Sequence, residues 1–256
     1  MKESKAALDG PKFKIERAGD HLERLDQLVR TYLRTNPQLI SAEFNPQNLV
    51  NIYRYKSLES LPIEVSLLAG DAINNLRSSL EHLAWQLALL NTVNPSDKTG
   101  FPIFKKRNLH VFKQMTADIP TEACEIIERL QPYHRGDGAQ DDPLWRLHAL
   151  WTIEKHRHLT IITMNMVTGI EFLLSDERRF QGVEGKSKLS ILDNGDIVLE
   201  VPIPNRTYEH FEPKFFLNIV LDDEGPGKGD LLLDSLWAIY YLLRDRIVPR
   251  FMHFFK

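Results

Sequence analysis

Apolar side chains return along this chain at two different spacings, and the switch between them divides it. Over residues 14–35, Ile15, Leu22, Leu25, Leu28, Val29, Tyr32 and Leu33 recur at three- and four-residue steps, the period of a helix with one face on a core. Asn36-Pro37 ends that helix. The same period is longest over residues 62–91. At about 100° per residue, Val65, Ala69, Ile73, Leu76, Leu80, Leu83 and Leu87 fall on one side there. Pro62 sits at its first turn. Shorter helices are expected over 108–115 and 120–130, the second stopped by Gln131-Pro132. Asp142-Pro143 supplies a cap and an N1 proline for a further helix running to about Leu159. Residues 230–248 make the last one, limited by Pro249.

After Leu159 the texture becomes β-branched. Residues 188–192 and 197–203 flank Asp193-Asn194-Gly195-Asp196, a hairpin signal, and 215–221 reads as another strand. Alternation at Val50, Ile52 and the neighbouring tyrosines adds 48–56 as a strand that can join them. Residues 92–100 and 133–142 are rich in turn formers and read as loops, and Phe101-Pro102-Ile103-Phe104 reads as an extended apolar plug. The expected class is α+β: a mostly helical bundle with a small antiparallel β-sheet in the C-terminal half. A single domain, 1–256, is expected, with helical parts 14–159 and 230–250 packed together around a β-rich insertion at 160–222.

Composition narrows the functional classes. Hydrophobic residues make up 43% and charged residues 26% of 256, as in ordinary globular domains. A formal net charge of −3 argues against a protein that coats nucleic acid through a broad basic surface. The lone Cys124 excludes an internal disulfide, and its place among Ile126, Ile127 and Leu130 suggests a structural thiol. No apolar leader stands at the start, and the most apolar run, 231–243, is too short and carries Asp234, so a cytoplasmic protein with no membrane span is expected. Glu224-Gly225-Pro226-Gly227-Lys228-Gly229 lacks the Gly-Lys-Ser/Thr ending of a phosphate loop and reads as a flexible joint.

Candidate chemistry lies on the helix at 62–91. Opposite its apolar stripe lie Asp71, Asn75, Ser78 and His82, flanked by Asn74, Arg77, Glu81 and Trp85, with no lysine among them. Solvated helix faces carry long Lys and Glu side chains. Short amides, a hydroxyl, an Arg, a His and a Trp suit a face that meets a second chain, a ligand or a buried polar network. The alternative is a polar seam that only specifies packing.

The helix after Asp142 carries Leu144, His148, Trp151, Thr152, Lys155 and Leu159 on one face, with His156 to one side. His148, Trp151, Lys155 and His156 are binding candidates, against the reading of a satisfied core histidine and a snorkelling lysine. A metal between the two helices would draw on His82, His148 and Glu81 or His156, but no H-E-x-x-H or E-x-x-H pair supports one. No cofactor is implied.

Arg77 and His82 form an R-x4-H pair, RSSLEH, set about 140° apart on the helix. Pairing of this helix with its copy across a two-fold would bring two such pairs together. A histidine that moves a proton and an arginine that neutralises a phosphate suit metal-independent RNA cleavage. This pair, with Asp71 and Asn75 upstream in a helical chain, resembles the HEPN superfamily of bacterial toxin and defence proteins, many of them dimeric endoribonucleases. GDAINNLRSSLEHLAWQL and LWRLHALWTIEKHRHL also look like signatures of an uncharacterised bacterial protein family. The resemblance covers about 35 residues and leaves the β region unmatched. It implies Arg77 on the scissile phosphate, His82 in proton transfer, an RNA substrate, a homodimer and a cognate protein partner such as an antitoxin. Ser78 stands where members often carry Asn. The reading of another class is a noncatalytic helical interaction module, with Asp71, Asn75, Arg77 and Trp85 in a dimer or partner interface.

Overall fold

In the computed structural model, the described residues are 7–35, 40–56, 61–156, 163–167, 190–191, 195–202, 216–221 and 227–256. The elements in chain order are α1 (Asp9–Thr35), β1 (Ile40–Asn45), β2 (Val50–Tyr55), α2 (Ile63–Ala88), α3 (Leu109–Met115), α4 (Thr121–Arg129), a 3-10 segment (Pro132–Asp141) and α5 (Pro143–His156). Strands β3 (Thr163–Val167), β4 (Ser190–Ile191), β5 (Ile197–Pro202) and β6 (Phe216–Val220) precede α6 (Leu232–Tyr241). Helical structure then continues as a π-helical stretch (Leu242–Ile247) and a 3-10 stretch (Val248–Phe255). The protein is α+β and mostly helical.

α2 lies at the centre. The predicted stripe Val65, Ala69, Ile73, Leu76, Leu80, Leu83 and Leu87 is wholly buried. α1 packs along α2 most extensively, α5 and α6 also pack against it, and α6 touches α1 as well. One apolar cluster runs through these helices and α4, and Phe251 from the C-terminal stretch is fully buried in it. Burying a Leu-sized side chain contributes about 1.5–3 kcal/mol, so the stripe holds α2 in place far more strongly than helix propensity does.

Side-chain caps set two of the helix starts. Asn108 accepts from the Val111 N–H at 3.1 Å, and Asp142 accepts from the Leu144 N–H at 2.8 Å. The second oxygen of Asp142 pairs with Arg135 at 2.6 Å. The plug expected at 101–104 is present: Phe101 and Ile103 are buried, and Gln131 clamps the segment. The Gln131 side chain donates to the Pro102 carbonyl at 2.8 Å and accepts from the Phe104 N–H at 3.1 Å.

The strand expected at 48–56 joins the C-terminal β structure by pairing with β5, but the strands divide between two sheets. Two three-stranded antiparallel sheets form, β1-β2-β5 and β4-β3-β6, and the first takes two of its strands from the N-terminal half. Among the described residues, the strands on either side of 193–196 lie in different sheets. β4 pairs with β3, while β5 pairs with β2. Gly195, with φ of 97°, donates to the Tyr55 carbonyl at 2.8 Å, and the Tyr55 N–H returns a bond to Asp196. This contact with β2 sets the register of β5, outweighing the local turn signal. Residues 188–189, 192, 203 and 215 of the expected strands and the predicted helix end at Leu159 lie outside the described residues.

Three further expectations are corrected. Residues 132–141 wind into 3-10 turns around Gly136 instead of forming an open loop. The described part of the Gly-rich joint is a tight turn, in which Gly229 donates to Leu221 and Leu221 to the Asp230 carbonyl. The last regular α-helix stops at Tyr241, before Pro249, because the backbone widens to π-helical pairing and then tightens to 3-10 pairing. No helix among the described residues is long and apolar enough to cross a membrane.

Candidate functional site

The two flanks of α2 carry different chemistry. Toward α1 stand Asp71 and His82. An Asp71 oxygen lies 3.9 Å from Nδ1 of the buried His21, an ion-pair distance too long for a hydrogen bond. Burial pushes the His21 pKa down, and Asp71 partly offsets that. His82 is exposed and stands beside the first turn of α1, where a Cβ added to Gly10 would lie 3.3 Å from its Nδ1. Asn75 turns back on its own helix, donating to the Asp71 carbonyl at 2.8 Å.

Toward α5 stand Arg77 and Glu81. Arg77 is only 4% exposed. Its Nη2 lies 2.5 Å from Glu81 Oε1 and donates to the Phe101 carbonyl at 3.0 Å. The Phe101 N–H donates to the other Glu81 oxygen at 3.1 Å. This i, i+4 pair therefore brackets the backbone of one plug residue, Phe101, and ties it to α2. A Cβ on Gly100 would come within 2.7 Å of Glu81 Oε2, so a side chain there would push that carboxylate aside. The guanidinium also lies 5.3 Å from the Trp151 ring centroid, a cation–π distance. Burial pushes the Arg77 pKa down, while Glu81 pulls it back.

Arg77 and His82 are thus not brought to one spot within a chain. The fold instead places Arg77 with His148 of α5 in the wall of a cavity of about 420 Å³ between α2, α5 and residues 103–115. His148 sits between Trp145 and Trp151, with ring centroids 5.6 and 6.0 Å away. Burial, followed by the Arg77 charge, pushes its pKa down to about 4, so it is neutral at pH 7. Lys105 and Lys106 also line the cavity.

The other candidates divide as follows. Asn74 and Ser78 are half-buried, Trp85 is 40% exposed, and Thr152 and Lys155 are exposed, with the Lys155 ammonium 5.2 Å from the Trp151 ring centroid. His156 ends α5. Cys124 bears out a structural thiol: its Sγ donates to the Thr116 and Ile119 carbonyls, and burial pushes its pKa up. Among the described residues, no three His, Cys, Asp or Glu side chains converge in a way that could hold a metal ion.

Sequence reasoning missed Lys105, Lys106, Trp145 and Gln131. The run Lys105-Lys106-Arg107 was a usable signal, directly after an apolar plug. Gln131 carried none, since its role depends on where the plug lies. Comparison with family models, curated proteins and solved structures finds no match for this chain.

Proposed function

We propose that this protein works as a helical interaction module that pairs with a second copy of itself through the outer face of α2. The observation that carries this reading is an exposed stripe on that helix. Ile63, Leu67 and Trp85 are 62%, 50% and 40% exposed, and on the helical wheel they fall with Asn74 and Ser78 within about 60°. Large apolar side chains stand at the ends of the stripe, and small polar ones lie between them.

The spacing is symmetric about residue 76. In an antiparallel two-fold pairing centred there, Leu67 meets Trp85, Ile63 meets Leu89 and Asn74 meets Ser78, so each contact occurs twice. Asn74 and Ser78 at the dyad let the helices approach closely, and the aromatic anchors close each end. Asp71 falls beside His82 of the second copy, an attraction that favours this register. The HEPN resemblance agrees with such a dimer.

The ribonuclease reading ranks second. Arg77 is turned toward the plug and α5, away from His82, and its best acceptors are Glu81 and the Phe101 carbonyl. A catalytic pair made by this motif needs both groups on one phosphate. Under the interaction reading, purified protein leaves RNA intact, and His82→Ala alters self-association without altering RNA handling. Loss of an RNA-cleaving activity in well-folded His82→Ala would instead favour the nuclease.

Cross-linking tests the register. With Cys at both positions 74 and 78, mild oxidation of the Asn74→Cys/Ser78→Cys protein is expected to give a reducible species of about twice 29.7 kDa. Neither single variant does so efficiently. A double variant that stays monomeric on oxidation contradicts the pairing.

A further inference from the structure

Three residues in the wall of the cavity beside Arg77 carry buried nitrogens without a partner. Nε and Nη1 of Arg77 are buried without a hydrogen-bond partner, as are Nε1 of Trp145 and Nδ1 of His148. Leaving a buried polar group unsatisfied costs about 1–3 kcal/mol, and native structures seldom leave several in one place. Arg77 already spends Nη2 on Glu81 and Phe101, so the two idle nitrogens are surplus to its structural task. Lys105 and Lys106 join the Glu81-paired Arg77 at the wall, and no carboxylate lines the cavity itself. The missing partner is therefore an acceptor with negative charge. The remaining wall is mostly apolar and partly aromatic, with Phe104, Met115 and Trp145, and Asn108 and His148 add neutral polar groups.

We propose that this cavity binds a small phosphate monoester bearing a flat aromatic ring, with Arg77, Lys105 and Lys106 on the phosphate and the ring against Trp145 and Phe104. Two lysines beside a Glu81-paired arginine match the charge and the several acceptor oxygens of a dianionic phosphate better than those of a single carboxylate. A volume of about 420 Å³ is within the range of small-molecule sites. The Lys105 ammonium lies 5.6 Å from the Trp145 ring centroid, so the charged and aromatic parts of the site are adjacent. A neutral His148 adds a further polar atom without repelling a cationic wall. This site lies on the α5 flank of α2 and is independent of the face proposed for self-association.

Calorimetric titration with uridine and adenosine monophosphates, uridine and inorganic phosphate tests the assignment. The expected result is saturable binding of a nucleoside monophosphate with Kd below about 1 mM, weaker binding of phosphate and no binding of the uncharged nucleoside. Lys105 and Lys106 are exposed, so Lys105→Gln/Lys106→Gln should keep the wild-type unfolding midpoint while weakening binding at least tenfold. Trp145→Phe should lower affinity for the nucleotide more than for phosphate. The assignment is overturned if neither monophosphate binds at 10 mM, if uridine binds as well as its monophosphate, or if the double lysine variant keeps full affinity.

Discussion

Arg77 is the residue on which the two readings of α2 differ most. In a nuclease it would be held for a substrate and be dispensable for folding. Here it joins Glu81 to the Phe101 peptide, so Arg77→Met strands a carboxylate and a carbonyl at a largely buried junction. The expected cost is about 3 kcal/mol by urea unfolding, toward the lower end for a broken buried pair because Glu81 keeps some solvent. An unchanged urea midpoint in Arg77→Met would contradict this structural role. His148 makes a second prediction. Its folded pKa of about 4 lies below the ordinary 6.5, so the unfolded chain binds more protons between those values. The stabilising effect of keeping it neutral is fully present above pH 6.5 and is lost as pH falls toward 4. After allowance for solvent screening at a half-buried site, the loss is on the order of 1–2 kcal/mol. His21 acts in the same direction in every variant, so comparing wild type with His148→Gln at pH 7 and 4.5 isolates His148. The variant should lose less stability on acidification, and an identical pH slope would contradict the assignment.

At the scale of elements, periodicity was the most informative signal where burial is one-sided. The stripe from Val65 to Leu87 read as core and is core, because seven apolar residues at helical spacing have no other way to leave water together. Local capping was equally readable: Asp142-Pro143 predicted the start of α5, and Asp142 binds the Leu144 N–H there. The polar side of α2 was harder to read. Its eight residues look alike on a wheel, yet Arg77 is buried, Asp71 and His82 lie by α1, and Trp85 remains open, because neighbours assign those positions and the helix itself does not. The cavity was least legible of all, since Lys105, Lys106 and His148 come from segments about 40 residues apart and meet only after the plug docks on α2 and Gln131.

For the whole molecule, the α+β class was legible from the change of period, while the sheet arrangement was not. A turn sequence specifies a local bend, but strand partners depend on long-range pairing, and Gly195 and Asp196 bond to Tyr55, some 140 residues earlier. Among the described residues, Ile63, Leu67 and Trp85 stand exposed on one face of the central helix, and the account holds that a second copy covers this face. The solution mass of wild type and Ser78→Arg by light scattering at tens of micromolar tests that claim most directly. Wild type is predicted at about twice 29.7 kDa, and Ser78→Arg, which sets two guanidinium groups near the dyad, at the mass of one chain with an unchanged unfolding midpoint. A monomeric wild type, or a Ser78→Arg protein that remains dimeric, would contradict the account.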